Sequence, residues 1–200
     1  MTYDLVLGAA AAEFALHGFA GTNLADITAR TGLTKGALYG HFSSKADLAG
    51  ELTRSFESAW ADTLAAAVRE AEETGAALPT LRTLLLGLAR RVHEDLPFAA
   101  GLRLVLDAAR AEGTTPVHLA NLCGVVALLV RRGRQDGSVT TSHPPELLAR
   151  LAVALLVGAP AVVTATDTAD PAALVTEVWD LLEPSLSGSG PGTGAGAGAG

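Results

Sequence analysis

The chain has one cysteine, Cys123, in 200 residues, so no disulfide can close within it. One cysteine and five scattered histidines supply no metal-ligand spacing, which excludes a zinc cluster, and no cofactor motif is present. A chain without disulfides suits a reducing cytoplasm. No basic stretch follows Met1, so no secretory signal is read there. Aromatic residues are only 4% of the total, and a core must therefore be built mainly from Ala, Leu and Val. The longest apolar run, residues 147–165, is interrupted by Arg150 and Pro160 and falls short of the roughly 20 residues a bilayer crossing needs. A membrane partner is not expected. Basic charge is scarce too: 14 Lys and Arg face 21 Asp and Glu, a net charge of −7. Any nucleic-acid site must then be local.

What is abundant is helix-forming apolar sequence. Hydrophobic residues make up 49% of the chain, enough to exclude disorder throughout. Ala and Leu dominate, and period-two alternation is absent. An Ala-rich helix is expected over residues 3–17, punctuated by Gly18 and Gly21. Short helices follow from Leu24 to Thr31, capped by Thr22 or Asn23, and from Thr34 to about His41. Ser43 or Ser44 caps a long helix in which Leu48, Leu52, Phe56, Trp60, Leu64 and Val68 recur at helical spacing. Apolar stripes then mark a helix through Leu81–Val92, a short segment beginning at Pro97, and a helix from about Val117 to the basic residues 131–134. Two more follow Pro145 and Pro171, the last ending near Leu182. Residues 187–200 contain only Gly, Ser, Pro, Thr and Ala, a composition expected to be disordered.

Chemistry concentrates in residues 22–48. Two short helices meet at Gly32, the layout of a helix-turn-helix. Leu24, Ile27, Leu33, Leu38 and Phe42 can form its small core. The outward positions of the second helix offer hydroxyls, an ammonium and an imidazole from Thr34, Lys35, Tyr39 and His41. Gly36 and Ala37 are small enough for close approach to a groove. Lys45 opens the next helix and can reach a flanking phosphate. Residues 22–46 hold three basic residues against one acidic, a net of +2, which leaves −9 for the remainder. Both lysines of the chain lie in this window. Spacing alone leaves DNA binding and a purely structural helical turn equally open.

The stretch Gly32-Leu33-Thr34-Lys35-Gly36-Ala37-Leu38-Tyr39-Gly40-His41-Phe42-Ser43-Ser44-Lys45 resembles the DNA-binding domain of the TetR family of transcriptional repressors, as do Phe14, Gly18, Phe19 and Thr22. The resemblance implies an all-α homodimer with a three-helix DNA-binding domain over residues 1–47 and a helical-bundle ligand-binding and dimerisation domain over 48–186, followed by the tail. It implies operator contacts from Thr22, Thr34, Lys35, Gly36, Ala37, Tyr39, His41 and Lys45. Tyr39, His41 and Lys45 would grip phosphates and Lys35 a base edge. Family members often carry a basic extension before the first helix. Tyr3-Asp4 is not basic, so affinity is expected to lean on the helices.

Residues 101–104 and 178–186, with 34–39, are similar to the γ-butyrolactone autoregulator receptors of that family. The resemblance implies release from DNA by a small lactone or furan. Those receptors place a Trp early in the helix that here starts near Val117, where this chain has His118, Asn121 and Cys123. Leu85, Leu88, Phe98, Leu102, Leu106, Leu122, Val126 and Trp179 are candidate walls of an effector pocket, with Asn121, His93 and His118 as candidate anchors. Each wall residue reads more readily as plain core than as a ligand contact. Leu155, Gly158, Val162, Val175, Val178 and Leu182 are candidate dimer contacts. No nucleophile–base–orienter set appears, so catalysis is not expected. A constitutive regulator without effector, or a helical interaction protein that has lost DNA binding, are the alternatives.

Overall fold

The computed structural model describes residues 2–162 and 170–188, and among these the secondary structure is nine α-helices with no strand. They are α1 (Thr2–Gly21), α2 (Leu24–Thr31), α3 (Lys35–Tyr39), α4 (Lys45–Thr74), α5 (Ala77–Glu94), α6 (Leu96–Glu112), α7 (Val117–Asp136), α8 (Pro145–Val162) and α9 (Pro171–Ser187). Residues 163–169 and 189–200, which include most of the expected Gly-rich tail, lie outside the described set.

Local chemistry accounts for most of the boundaries. Asn23 caps α2, and Ser44 caps α4 by accepting from the Asp47 N–H. Three elements run further than their sequence suggests. The first helix continues to Gly21 by bending at Gly18. The segment at Pro97 is a full 17-residue helix, because Asp95 caps it and nothing interrupts it before Gly113. The last helix passes Pro184 and ends at Ser187, since packing and a backbone bond from Thr140 N–H to the Leu186 carbonyl (2.8 Å) hold its end.

Two hydrophobic clusters form. The smaller joins α1, α2, α3 and the start of α4 through Val6, Ala10, Phe14, Ile27, Leu38, Phe42, Leu48 and Leu52. The larger gathers α4 to α9 around Phe56, Trp60, Leu85, Leu88, Leu122, Val126, Leu129 and Trp179. Two helices belong to both. Along α4, Leu48 and Leu52 serve the small cluster, whereas Phe56, Trp60 and Leu64 serve the large one. Along α6, Ala100 and Leu104 alternate with Phe98 and Leu102 in the same way. The small cluster is therefore welded to the large one by α4 and by the packing of α1 on α6. Among the described residues, no single helix is long and apolar enough to cross a membrane.

Candidate nucleic-acid interface and ligand cavities

Helix α3 has five residues, too few to persist alone. It is held at both ends and from beneath. Asn23 Oδ1 accepts from the Asp26 N–H (2.9 Å) to start α2. Gly32 then stops α2 in the left-handed conformation (φ 66°), where a side chain would be strained, and its N–H reaches the Thr28 carbonyl. Thr34 caps α3 by accepting from the Ala37 N–H (3.3 Å). Leu38 and Phe42 are buried against Ile27 and Phe14 in the small cluster. The Tyr3 ring stacks on Phe42 (5.0 Å) and meets His41 edge-on (6.3 Å), so the start of α1 also supports the end of this turn.

This anchoring leaves Thr34, Gly36, Tyr39 and His41 exposed and Ala37 half-buried. Tyr39 keeps 54% of its surface accessible. Lys35 opens α3, and its side chain lies outside the described set.

Two expected contacts are placed differently. Thr22 is buried, and its hydroxyl donates to the Gly18 carbonyl at 2.8 Å, so this side chain is not on the outward face. Lys45 is half-buried. Its ammonium donates to the carbonyls of Phe19 (2.7 Å) and Thr22 (2.8 Å) and sits 4.3 Å over the Phe19 ring. The physical reason is the frayed end of α1, whose last carbonyls have no helical donors and attract a cation. A further tie went unread in the sequence. Buried Glu13 on α1 pairs with Arg30 at the end of α2, with Nη2 at 2.8 Å and Nε at 2.9 Å. One acidic residue amid the alanines of α1 was its only signal.

The larger cluster contains cavities. One of about 420 Å³ lies between α5, α7, α8 and α9, and Leu85, Val126 and Trp179 line it as expected wall residues. Leu155 and Leu182, expected at a dimer contact, line it as well. A second of about 620 Å³ lies where α1, α5, α6 and α8 meet, and holds Leu102, Leu106 and His93. Leu88, Phe98 and Leu122 line neither, because they are packed into the core itself. Asn121 is corrected more sharply, since it falls on the exposed side of α7. Val175 is likewise core within this chain rather than an outward contact. Val178 and Gly158 are half-buried, and the Val162 side chain lies outside the described set. The exposed apolar residues of these helices are instead Leu147, Leu151 and Val157 on α8 and Leu181 on α9.

An aromatic cluster joins α4, α6 and α7. The Phe56 ring lies 5.4 Å from Trp60, 4.9 Å from Phe98 and 5.4 Å from His118. Within it Trp60 Nε1 and His118 Nδ1 are buried without a hydrogen-bond partner among the described residues. Each such group costs about 1–3 kcal/mol.

Residues 6–52 match the bacterial regulatory proteins of the tetR family. This segment is a tetR-family domain. The match takes in α2, the turn and α3 with their supports on α1 and α4. Over 187 residues the chain is 28% identical to the A-factor receptor protein of Streptomyces griseus, covering 93% of this chain and 64% of that protein. It thus spans less than two thirds of that relative's length. The TetR family protein CprB from S. coelicolor A3(2) has a similar structure at 25% identity, with a TM-score of 0.71 over 97% of this chain and 91% of that one. A crystal structure of a γ-butyrolactone receptor shares the fold at a TM-score of 0.73 and 24% identity, over 93% of this chain and 88% of that one.

Proposed function

We propose that this chain is a transcriptional repressor that binds operator DNA as a homodimer and leaves it when a small apolar effector binds. The observation that carries the reading is the outward face of α3. Thr34, Gly36, Tyr39 and His41 are exposed on a helix whose other face is fixed in a core. That face lies in a segment, residues 22–46, of net charge +2 within an acidic chain. Such a helix fits a major groove, with Tyr39 and His41 reaching phosphates and Lys35 a base edge. Thr34 offers the groove what its capping role leaves free.

A dimer would present two copies of α3 to successive major grooves, about 34–36 Å apart in helix-turn-helix pairs. The exposed leucines of α8 and α9 are the natural face for the second copy, with Gly158 allowing close approach. The effector would act on the larger cluster. Similarity to the A-factor receptor supports a γ-butyrolactone-type or furan signal, and the 420 Å³ cavity is of a size to take one. Helix α4 has residues in both clusters, so a shift in the larger one moves the supports of α3. Turning a mostly bound population into a mostly free one takes about 5.5 kcal/mol of differential binding. The role is regulation rather than catalysis, and the place of action is the bacterial cytoplasm, where the operator lies. The DNA-binding part would end near residue 47.

The test is a gel shift on the DNA upstream of the protein's own gene, at physiological salt, with and without an extract of the producing culture. Specific binding abolished by the extract is expected. Tyr39→Ala should weaken it about tenfold, roughly one lost charge-assisted contact, with the helical circular dichroism unchanged. Specific binding that ignores every extract would make the protein a constitutive regulator. Absence of specific binding anywhere in the genome would return it to the interaction proteins.

A further inference from the structure

We infer that Asp107 of α6 is a positioning residue for the DNA-contacting helices: its carboxylate fills the notch that Gly18 leaves in α1, and so sets the direction in which the chain leaves α1 for α2 and α3. The consequence for DNA rests on the reading above, whereas the contact itself stands without it. Gly18 has φ 66° and ψ −176° inside α1, a combination essentially confined to glycine. Space makes the same demand. A Cβ on Gly18 would overlap Asp107 Oδ2 and stand 3.4 Å from Arg103 Nε. The carboxylate thus occupies the place where a side chain of residue 18 would begin.

Beyond the bend lies a short hook, residues 19–22, from which α2 starts at its Asn23 cap. Thr22 Oγ1 donates back to the Gly18 carbonyl (2.8 Å), and the Lys45 ammonium of α4 ties the Phe19 and Thr22 carbonyls. Helix α4 therefore holds the far end of the hook, and α6 meets its root. Arg103, Asp107 and Arg110 follow one another on one face of α6. Arg103 Nη1 donates to the Ala15 carbonyl (3.4 Å), which sets a cation beside the place where α1 breaks. The two arginines steer the carboxylate from either side, at 3.6 and 3.3 Å. Both distances exceed the roughly 2.7–2.9 Å of a closed charge-assisted bond, whereas Arg30 and Glu13 meet at 2.8 Å. Asp107 also borders two open spaces. It lines the 620 Å³ cavity with Ala15 and Arg103, and a groove of about 780 Å³ with Phe19 and Ala20. A loosely steered carboxylate between two spaces is a movable key, unlike the buried Glu13. Through it α6 has its own route to α2, separate from α4.

The test uses the full chain with Asp107→Ala and Asp107→Asn. In hydrogen exchange read by mass spectrometry, the Ala variant should exchange about tenfold faster over residues 19–31 and unchanged over α5 and α7. Asn has nearly the shape of the carboxylate and should restore the wild-type map. Faster exchange confined to α6, or Asn no better than Ala, overturns the key. Gly18→Ala should lower the urea midpoint less in the Asp107→Ala background than alone, because the overlap is gone and only the backbone constraint remains. Strictly additive losses overturn the contact. On DNA, positioning is read by spacing. The preference for the operator over a copy with one base pair inserted between its half-sites should fall about tenfold in Asp107→Ala and hold in Asp107→Asn. A merely structural residue would lower the midpoint and leave that ratio alone, which overturns the positioning role. Altered exchange in a chain that binds no operator keeps the key and removes the DNA reading.

Discussion

The region that meets DNA and the region that would meet an effector are built by opposite means. In the first, the helix boundaries are set within a few residues. Asn23, Gly32, Thr34 and Ser44 each start or stop a helix by a contact no more than four residues away. In the second, the atoms that matter come from far apart: Phe56 and Trp60 on α4, Phe98 on α6 and His118 on α7. Local turn chemistry makes a surface of defined shape. Long-range packing makes an enclosure, and only an enclosure can leave the Trp60 nitrogen without a partner among the described residues. The contrast has one seam, because α4 and α6 belong to both clusters.

Phe56→Ala tests that seam with the largest effect. Phe56 is 1% exposed and touches Trp60, Phe98 and His118. Its removal should cost about 3–5 kcal/mol, and the thermal midpoint should fall by about 10 °C. The unfolding transition should stay single in calorimetry, because α4 continues into the small cluster. Two separated transitions would show that the halves are independent and that α4 transmits nothing.

A glycine pair sharpens the same point. At Gly101 of α6 a Cβ would stand 2.3 Å from Phe56 Cβ and 3.0 Å from the Leu52 carbonyl, so α4 and α6 cross with no room for a methyl group. Gly101→Ala should cost about 1–3 kcal/mol. Gly50 of α4 has nothing within 4 Å of its built Cβ, and Gly50→Ala should add up to about 1 kcal/mol through helix propensity. Equal effects of the two in urea titrations would mean that the crossing is looser than the distances say.

The same division explains what the sequence disclosed. The edges of α2, the cap of α4 and the exposure of Tyr39 and His41 were legible because capping and turn rules act over three or four residues. The segment beginning at Pro97 reads as short in the sequence, yet it is the 17-residue α6, because Asp95 caps it and no stop signal comes before Gly113. Candidate pocket residues divided between two cavities and solid core. A Leu stripe looks alike whether it faces a void or another Leu, as Leu85 and Leu88 show. Val175, expected at a dimer contact, is core for the same reason, being one of several apolar residues round its helix. Trp60 was read as one more member of a stripe. Its unpartnered nitrogen is a property of the three helices around it.

Lys45 is the residue on which the two regions are most easily mistaken for each other, and its test has the smallest expected effect. By sequence it is a cation beside the recognition helix, which points to phosphate. In the fold its ammonium donates to the Phe19 and Thr22 carbonyls. A group that ties α1 to α4 has little left for DNA, because satisfying those two acceptors fixes the position of its nitrogen. Lys45→Met keeps the stem over Phe19 and removes only the charge and the donors. The expected loss is about 1 kcal/mol of stability, a midpoint lower by about 3 °C. Operator affinity should keep the same dependence on salt. A phosphate contact would behave in the reverse manner: the midpoint would stay, and the slope of log affinity against log salt would shrink by about one. That second outcome would mean that the clasp opens when DNA arrives and that α1 and α4 are held together without it.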